Sequence, residues 1–370
     1  MDYGGHRALQ DNHSDYLQTA SFGSLDGLRA IAILAVFWHH FATAIPGLGV
    51  TSRGFLGVDL FFIISGFLIV TLLLRERRRS GSLSLRGFYI RRFLRIFPAY
   101  YLMLLIVAVA AFLKPGVDSA AVMHDLPFAV FYLSNLVPMN SMLAITWSLS
   151  AEEQFYLIIP PLEKYARHVL PQLLPAAYML VILPPFGIFP TLGLPNFFRE
   201  TTFGPILLGV MLAHMLDHPR IFAWVFRALS WRLAPVLALA LSLLAASYPA
   251  DDISGCQRLS IHWAMLVLVA SCVIRERNFL QPILSLWLMR RIGIVSYGMY
   301  LYQHIVGHFI RKGLEIVIVP WDFAYFACTT LATWAVAECS YRYFETPFLA
   351  AKARFAPKDH SSSVPRQYSI

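Results

Sequence analysis

The sequence predicts an all-α fold: a polytopic transmembrane bundle of about ten spans, with both termini cytoplasmic. Three observations predict it. Hydrophobic residues fill 58% of the 370 positions and charged residues only 14%, where a soluble domain carries about 25% charged residues. A single soluble core cannot absorb that much apolar surface, because cores stop growing beyond about 250–300 residues. The apolar residues also fall in separated runs close to the ~20 residues that cross a bilayer as a helix. Together these exclude a secreted disulfide scaffold, a nucleic-acid-binding domain and a cytosolic enzyme.

In chain order the runs are 27–47, 55–74, 96–113, 147–163, 173–192, 199–216, 233–249, 259–274, 292–310 and 321–341. An eleventh run, 126–139, contains Pro138 and is too short to span, so it is expected as a re-entrant or interfacial segment. Basic residues mark the cytoplasmic loops of a membrane protein. With ten spans, 24 of the 30 Lys and Arg residues lie on the side of the termini, and an eleventh crossing would spoil that asymmetry. The net charge of +9 therefore belongs to the loops and does not point to nucleic acid. Residues 1–22 form a polar cytoplasmic N-terminus with no cleavable leader, 23–349 the transmembrane domain, and 350–370 a charged, Ser/Pro-rich cytoplasmic tail expected to be disordered. Four cysteines without a C-x-x-C pair or a histidine cluster give no expectation of a metal site or a disulfide framework. No internal repeat is visible.

Ionisable residues inside spans are costly and are candidates for function. Arg29 and His40 are eleven residues apart on the first span, so about 20° separates their directions and about 16 Å their heights. That places an imidazole near the bilayer midplane beneath a cytoplasmic guanidinium, as a catalytic group or as a helix–helix hydrogen-bonding residue. His39 points about 100° away. Arg91, Arg92 and Arg95 close the most basic loop, and Arg92/Arg95 and Arg91/Arg95 share helix faces at i,i+3 and i,i+4. Guanidinium forks in such a cluster suit polyphosphate, whereas Arg75 to Arg79 read as an orientation signal and anionic-lipid contact.

Ser150 and Glu153 have capping-box spacing, which gives Glu153 a structural role. Glu152 has none, and could orient or charge-balance a catalytic histidine. Tyr297, Tyr300 and His304 share a face of the ninth span, to bind a sugar or to tie helices together. Asp59 is a helix N-terminal charge or a substrate contact. No G-x-S-x-G, H-E-x-x-H or phosphate-binding glycine loop is present. These residues suit acyl transfer, and equally a proton-coupled transporter or flippase of glycan intermediates that relays protons through His40 and Glu152.

Six segments in order resemble the acyltransferase 3 family of membrane O-acyltransferases, over about residues 22–349. They are LDGLRAIAILAVFWHH (25–40), GVDLFFIISGFLI (57–69), YIRRFLRIFPAYY (89–101), TWSLSAEEQFYL (146–157), SYGMYLYQH (296–304) and YRYFETPF (341–348). The resemblance implies a multi-pass protein of the bacterial inner membrane. It implies transfer of a short acyl group, with acetyl expected, from cytoplasmic acyl-CoA as co-substrate to hydroxyls of an exported glycan or lipid-linked saccharide. O-antigen, exopolysaccharide, peptidoglycan and lipo-oligosaccharide are acceptors of such enzymes. The family's Arg/Lys-x10-His motif falls on Arg29 and His40, its R-x-x-R on Arg92 and Arg95, and the carboxylate of W-S-L-x-x-E on Glu152. At the histidine of the family's Y-L-x-H stands Gln303, with His304 one place later and turned about 100°, so no essential role is expected for His304. The chain stops after the tenth span, so it is expected to act without the extracytoplasmic esterase-like domain that some members carry.

Overall fold

The computed structural model describes residues 3–43, 45, 49–183, 203–248, 255–317 and 322–355. Among these the regular structure is helical and contains no strand. In order the helices are α1 (Tyr3–Gln18), α2 (Gly23–Phe41), α3 (Leu56–Ser80), α4 (Leu85–Leu113), α5 (Val117–Val130), α6 (Thr146–Tyr165), α7 (Leu170–Ile182) and α8 (Phe203–Asp217). They continue with α9 (Pro219–Leu229), α10 (Ala234–Ser247), α11 (Cys256–Ile274), the short α12 (Gln281–Leu284), α13 (Trp287–Val317), α14 (Asp322–Cys339) and α15 (Thr346–Ala353). A single π-helical turn, Ser340–Glu345, joins the last two. Ends of the expected spans at 27–47, 173–192, 199–216, 233–249 and 321–341, and residues 356–370 of the expected tail, lie outside the described residues. Residues 350–353 of that tail continue α15.

Three described helices, α3, α4 and α11, are each long and apolar enough to cross a membrane. The pairs α1/α2 and α8/α9 reach that length together, with bends of 65° and 106°. On α4, Leu105 and Phe112 are 60% and 75% exposed. An apolar face turned outward in this way meets lipid, which offers the same environment as a core.

Close helix approach replaces hydrophobic driving force inside a membrane. The crossing of α3 and α8 shows how. A Cβ on Gly66 would lie 2.2 Å from the Ile206 carbonyl oxygen, and one on Gly209 would lie 2.2 Å from that of Ile63. Each glycine thus admits the backbone of the other helix.

The run 126–139, expected as a re-entrant or interfacial segment, lies between α4 and α6 and is split between the end of α5 and a loop. The hydroxyls of Tyr100 and Tyr101, midway along α4, donate to the carbonyls of Ala129 and Val130 at 2.7 and 2.9 Å. So α5 doubles back along the second half of α4 and stops level with its middle. The chain then returns through a loop, where Thr146 bonds Ser134 at 2.7 Å, before α6 begins.

Buried charges need partners, and the basic end of α3 finds them inside the protein. Arg75 donates to the Tyr16 carbonyl at 3.0 Å, Arg77 pairs with buried Glu163, and Arg78 pairs with Asp217 at 2.7 Å. These three side chains tie α3 to α1, α6 and α8, which replaces the lipid contact expected for them.

Candidate active site

A cleft opens between α2, α3, α4, α6 and α13, with about 1060 Å³ of space counted to its mouth. Arg29, Arg92 and Arg95 line it, as do Glu152, Glu153 and Tyr156, while α3 supplies an apolar wall that includes Phe61 and Leu68. Helix spacing explains the pairing of Arg92 with Arg95, because residues three apart share a face. Arg92 stacks on two rings, its guanidinium carbon 5.2 Å from the centroid of Tyr156 and 5.7 Å from that of Phe88. The Tyr156 hydroxyl in turn donates to Glu152. Arg29 pairs with Asp26 one turn back, at 3.1 Å.

At the far end of the cleft stand Tyr297 and Tyr300. Their hydroxyls bind protein: Tyr297 donates to the Ile96 carbonyl at 3.0 Å, and Tyr300 bonds Ser148 at 2.7 Å and the Ile145 carbonyl at 3.1 Å. Both tyrosines line the space, and their hydroxyls tie helices together.

His40 is not among the cleft residues. α2 ends at Phe41, which puts His40 in the last turn and not deep within a span running to residue 47. Its Nδ1 lies 3.0 Å from Oε1 of Gln303 on α13, and its ring centroid is 4.9 Å from that of His304. His39 is exposed, with Nδ1 3.2 Å from the Ser52 carbonyl.

A model of an acyltransferase domain matches residues 22–338. The chain belongs to the acyltransferase 3 family. A peptidoglycan O-acetyltransferase of Listeria monocytogenes is 30% identical over 88% of this chain and 55% of its own length. A Staphylococcus aureus (strain COL) protein whose name proposes an O-acetyltransferase is 29% identical over 88% of this chain and 56% of its own. A Bacillus subtilis protein whose name proposes a peptidoglycan O-acetyltransferase is 28% identical over 87% and 54%. The chain thus spans about half the length of the curated relatives it matches. No solved structure matches it.

Within this acyltransferase 3 chain, Arg29, Arg92, Arg95 and Glu152 meet in one cleft, and His40 stands farther along α2. Four expectations need correction. Arg91 turns away from the cleft: Glu76 takes it at 2.6 Å and the Phe355 carbonyl at 2.7 Å, on the side of α4 that faces α3 and α15. Asp59 keeps the first-turn position expected of a helix N-terminal charge, but it is buried against Arg258 at 2.8 Å and His262 at 3.0 Å and is not among the residues that line the cleft. Ser150 caps nothing, because α6 starts four residues earlier and the Ser150 hydroxyl donates back to the Thr146 carbonyl at 3.0 Å. Glu153 therefore loses its capping role and faces the cleft beside Glu152, while His40 has Gln303 and His304 for neighbours in place of a carboxylate. His304 is not turned off the site: the packing of α13 on α2 brings its ring to that of His40.

Two residues gain roles that spacing alone did not show. Gln303 was visible as a departure from the family motif, but its contact across to His40 was not. Lys352 on α15 gave no signal. Burial pushes its amine down to about 7, and Arg95, Arg92 and Arg91 push in the same direction, which places it at the edge of the arginine cluster.

Proposed function

We propose that this chain is a multi-pass membrane O-acyltransferase of the bacterial cytoplasmic membrane. In this reading it has about ten spans with N- and C-termini inside, and moves an acetyl group from acetyl-CoA to a hydroxyl of an exported glycan or lipid-linked saccharide. The observation that carries the reading is a three-arginine cleft that includes Arg29 of α2, with His40 farther along the same helix. Arg92, Arg95 and Arg29 hold the CoA phosphates through charge-assisted hydrogen bonds. The α3 wall receives the apolar part of the donor. His40 takes the proton of the acceptor hydroxyl as it attacks the thioester carbonyl, and returns it to the leaving thiolate. The name of the Listeria relative supports acetyl as the group and a cell-envelope glycan as the acceptor.

The test is transfer by the purified full chain in proteoliposomes, with labelled acetyl-CoA and no ion gradient. Label should reach a glycan acceptor or water in the native chain and not in His40→Ala. Mass spectrometry of surface glycans from native and deletion strains then names the acceptor. Gradient-dependent movement of a glycan without acyl transfer would sink the reading.

A further inference from the structure

Gln303 is fully buried, at 0% exposure, yet only one end of its amide is satisfied. Its Oε1 lies 3.0 Å from His40 Nδ1, while its Nε2 has no hydrogen-bond partner. A part-buried amide pair elsewhere in this bundle behaves differently. Asn135 and Gln154 bond each other in both directions at 2.8 and 3.0 Å, and Gln154 Nε2 also reaches the Tyr132 carbonyl at 2.9 Å. Buried donors are almost always paired, so an orphan calls for a reason. Other buried donors on the helices packed against α13 are unpaired too. Trp38 Nε1 on α2 and Thr329 Oγ1, Thr333 Oγ1 and Trp334 Nε1 on α14 also lack partners, and both helices pack against α13. Of these, Gln303 Nε2 belongs to the residue that touches His40.

With the amide in this orientation, the proton on His40 follows. A carbonyl oxygen only accepts, so Nδ1 must carry the hydrogen and Nε2 keeps its lone pair. The reverse orientation would aim an N–H at Nδ1 and leave Nε2 protonated, unable to act as a base.

We infer that Gln303 is a catalytic residue of this acyl transfer: its Oε1 holds His40 in the basic tautomer, and its Nε2–H donates to the thioester carbonyl oxygen. The inference rests on the acyltransferase reading above. In the step, the acceptor oxygen bonds to the carbonyl carbon, the carbonyl π pair moves onto oxygen, and His40 Nε2 takes the hydroxyl proton. Gln303 Nε2–H holds the oxyanion. As the carbonyl re-forms, the C–S bond breaks and CoA leaves as a thiolate, which takes the proton from His40. A buried donor aimed at developing charge needs no reorganisation, and loss of one such donor typically lowers kcat about 10²- to 10³-fold.

Two variants separate the two halves of the amide. Gln303→Met fills the site without polar atoms, so it should melt no lower than the native chain while kcat falls at least ~100-fold. Gln303→Glu keeps an oxygen for Nδ1–H but has no N–H. If Gln303 only positioned His40, the carboxylate would raise the basicity of the imidazole, and Gln303→Glu would match or exceed native kcat. The expected result is a loss of about 100-fold with KM for acetyl-CoA changed less than about threefold. Gln303→His, which restores a ring N–H, should recover activity to within about tenfold of native and carries the test if Gln303→Glu does not fold. Native kcat in Gln303→Met or Gln303→Glu overturns the inference. His40→Ala is run beside them: if it still transfers acetyl, the reading of the site itself has failed, whatever the Gln303 variants do.

Discussion

Arg92 lies over the ring of Tyr156 at 5.2 Å, and the Tyr156 hydroxyl hydrogen-bonds Glu152, so a ring that is itself anchored supports one guanidinium of the cleft. Pre-set guanidinium planes suit bidentate phosphate contact. Arg92→Ala and Arg95→Ala should each weaken acetyl-CoA binding by about 1.5–3 kcal/mol, roughly 10- to 150-fold in Kd. Titration calorimetry on the solubilised chain reads this directly. Arg91→Ala is the contrast, because Glu76 and the Phe355 carbonyl occupy Arg91. It should lower Tm by leaving Glu76 unpaired while Kd stays near native. Unchanged affinity in both Arg92→Ala and Arg95→Ala would take the phosphates out of this cleft.

His39 and His40 are neighbours with unlike surroundings. His40 touches Gln303 and His304 inside the bundle, and His39 faces out beside Ser52. His40→Ala should abolish transfer with the chain still folded, and His39→Ala should stay within a few-fold of native. Loss in His39→Ala with activity kept in His40→Ala would reverse the assignment. His304→Ala belongs in the same assay, because its ring stands 4.9 Å from that of His40, and a partial loss is expected there.

What could be read from the sequence was what helical periodicity carries. Arg92 and Arg95 reach one cleft because three residues nearly complete a turn, and the composition set the fold class before any element was placed. Periodicity says nothing about partners from distant segments. Arg91 satisfies the same spacing rule with Arg95, but a glutamate 15 residues upstream claims it. Asp59 meets Arg258 and His262 about 200 residues later in the chain, and these take it out of the site. Ser150 failed as a cap because a 3-10 turn, Met142–Ile145, starts the helix early. The shared face of Arg29 and His40 was legible, but where α2 stops was not, so the depth of His40 could only come from the fold.

Glu152 and Glu153 both face the cleft that holds Arg92 and Arg95. A carboxylate competes with phosphate for the same guanidinium, so removing its charge should strengthen the positive field there. Glu152→Gln should therefore bind acetyl-CoA more tightly than native and turn over more slowly, with Tm little changed. Steady-state kinetics and calorimetry together check this. A purely thermal defect in Glu152→Gln would give that residue a structural role instead.

Lys352 makes a pH-dependent prediction whose sign can be worked out. It sits on α15, beyond the last span, and its amine is lowered to about 7 by burial first and then by Arg95, Arg92 and Arg91. In the unfolded chain the amine titrates near its ordinary ~10.4. The folded, empty chain therefore sheds this proton first as pH rises, and stability should increase from about pH 7 upward, where the unfolded state binds more protons. Anion binding acts oppositely. A phosphate placed among Arg92, Arg95 and Lys352 favours the charged amine, so the complex takes up a proton that the free chain lacks above pH 7. Acetyl-CoA affinity should then weaken as pH rises from 7 to 8.5, by no more than about tenfold per pH unit for one linked proton. Calorimetry in two buffers of different ionisation enthalpy should show proton uptake on binding at pH 8. In Lys352→Met the pH dependence should flatten and the affinity at pH 7 should fall. A pH slope identical in native and Lys352→Met chains would place Lys352 outside the phosphate site and leave Arg92 and Arg95 to hold the donor alone.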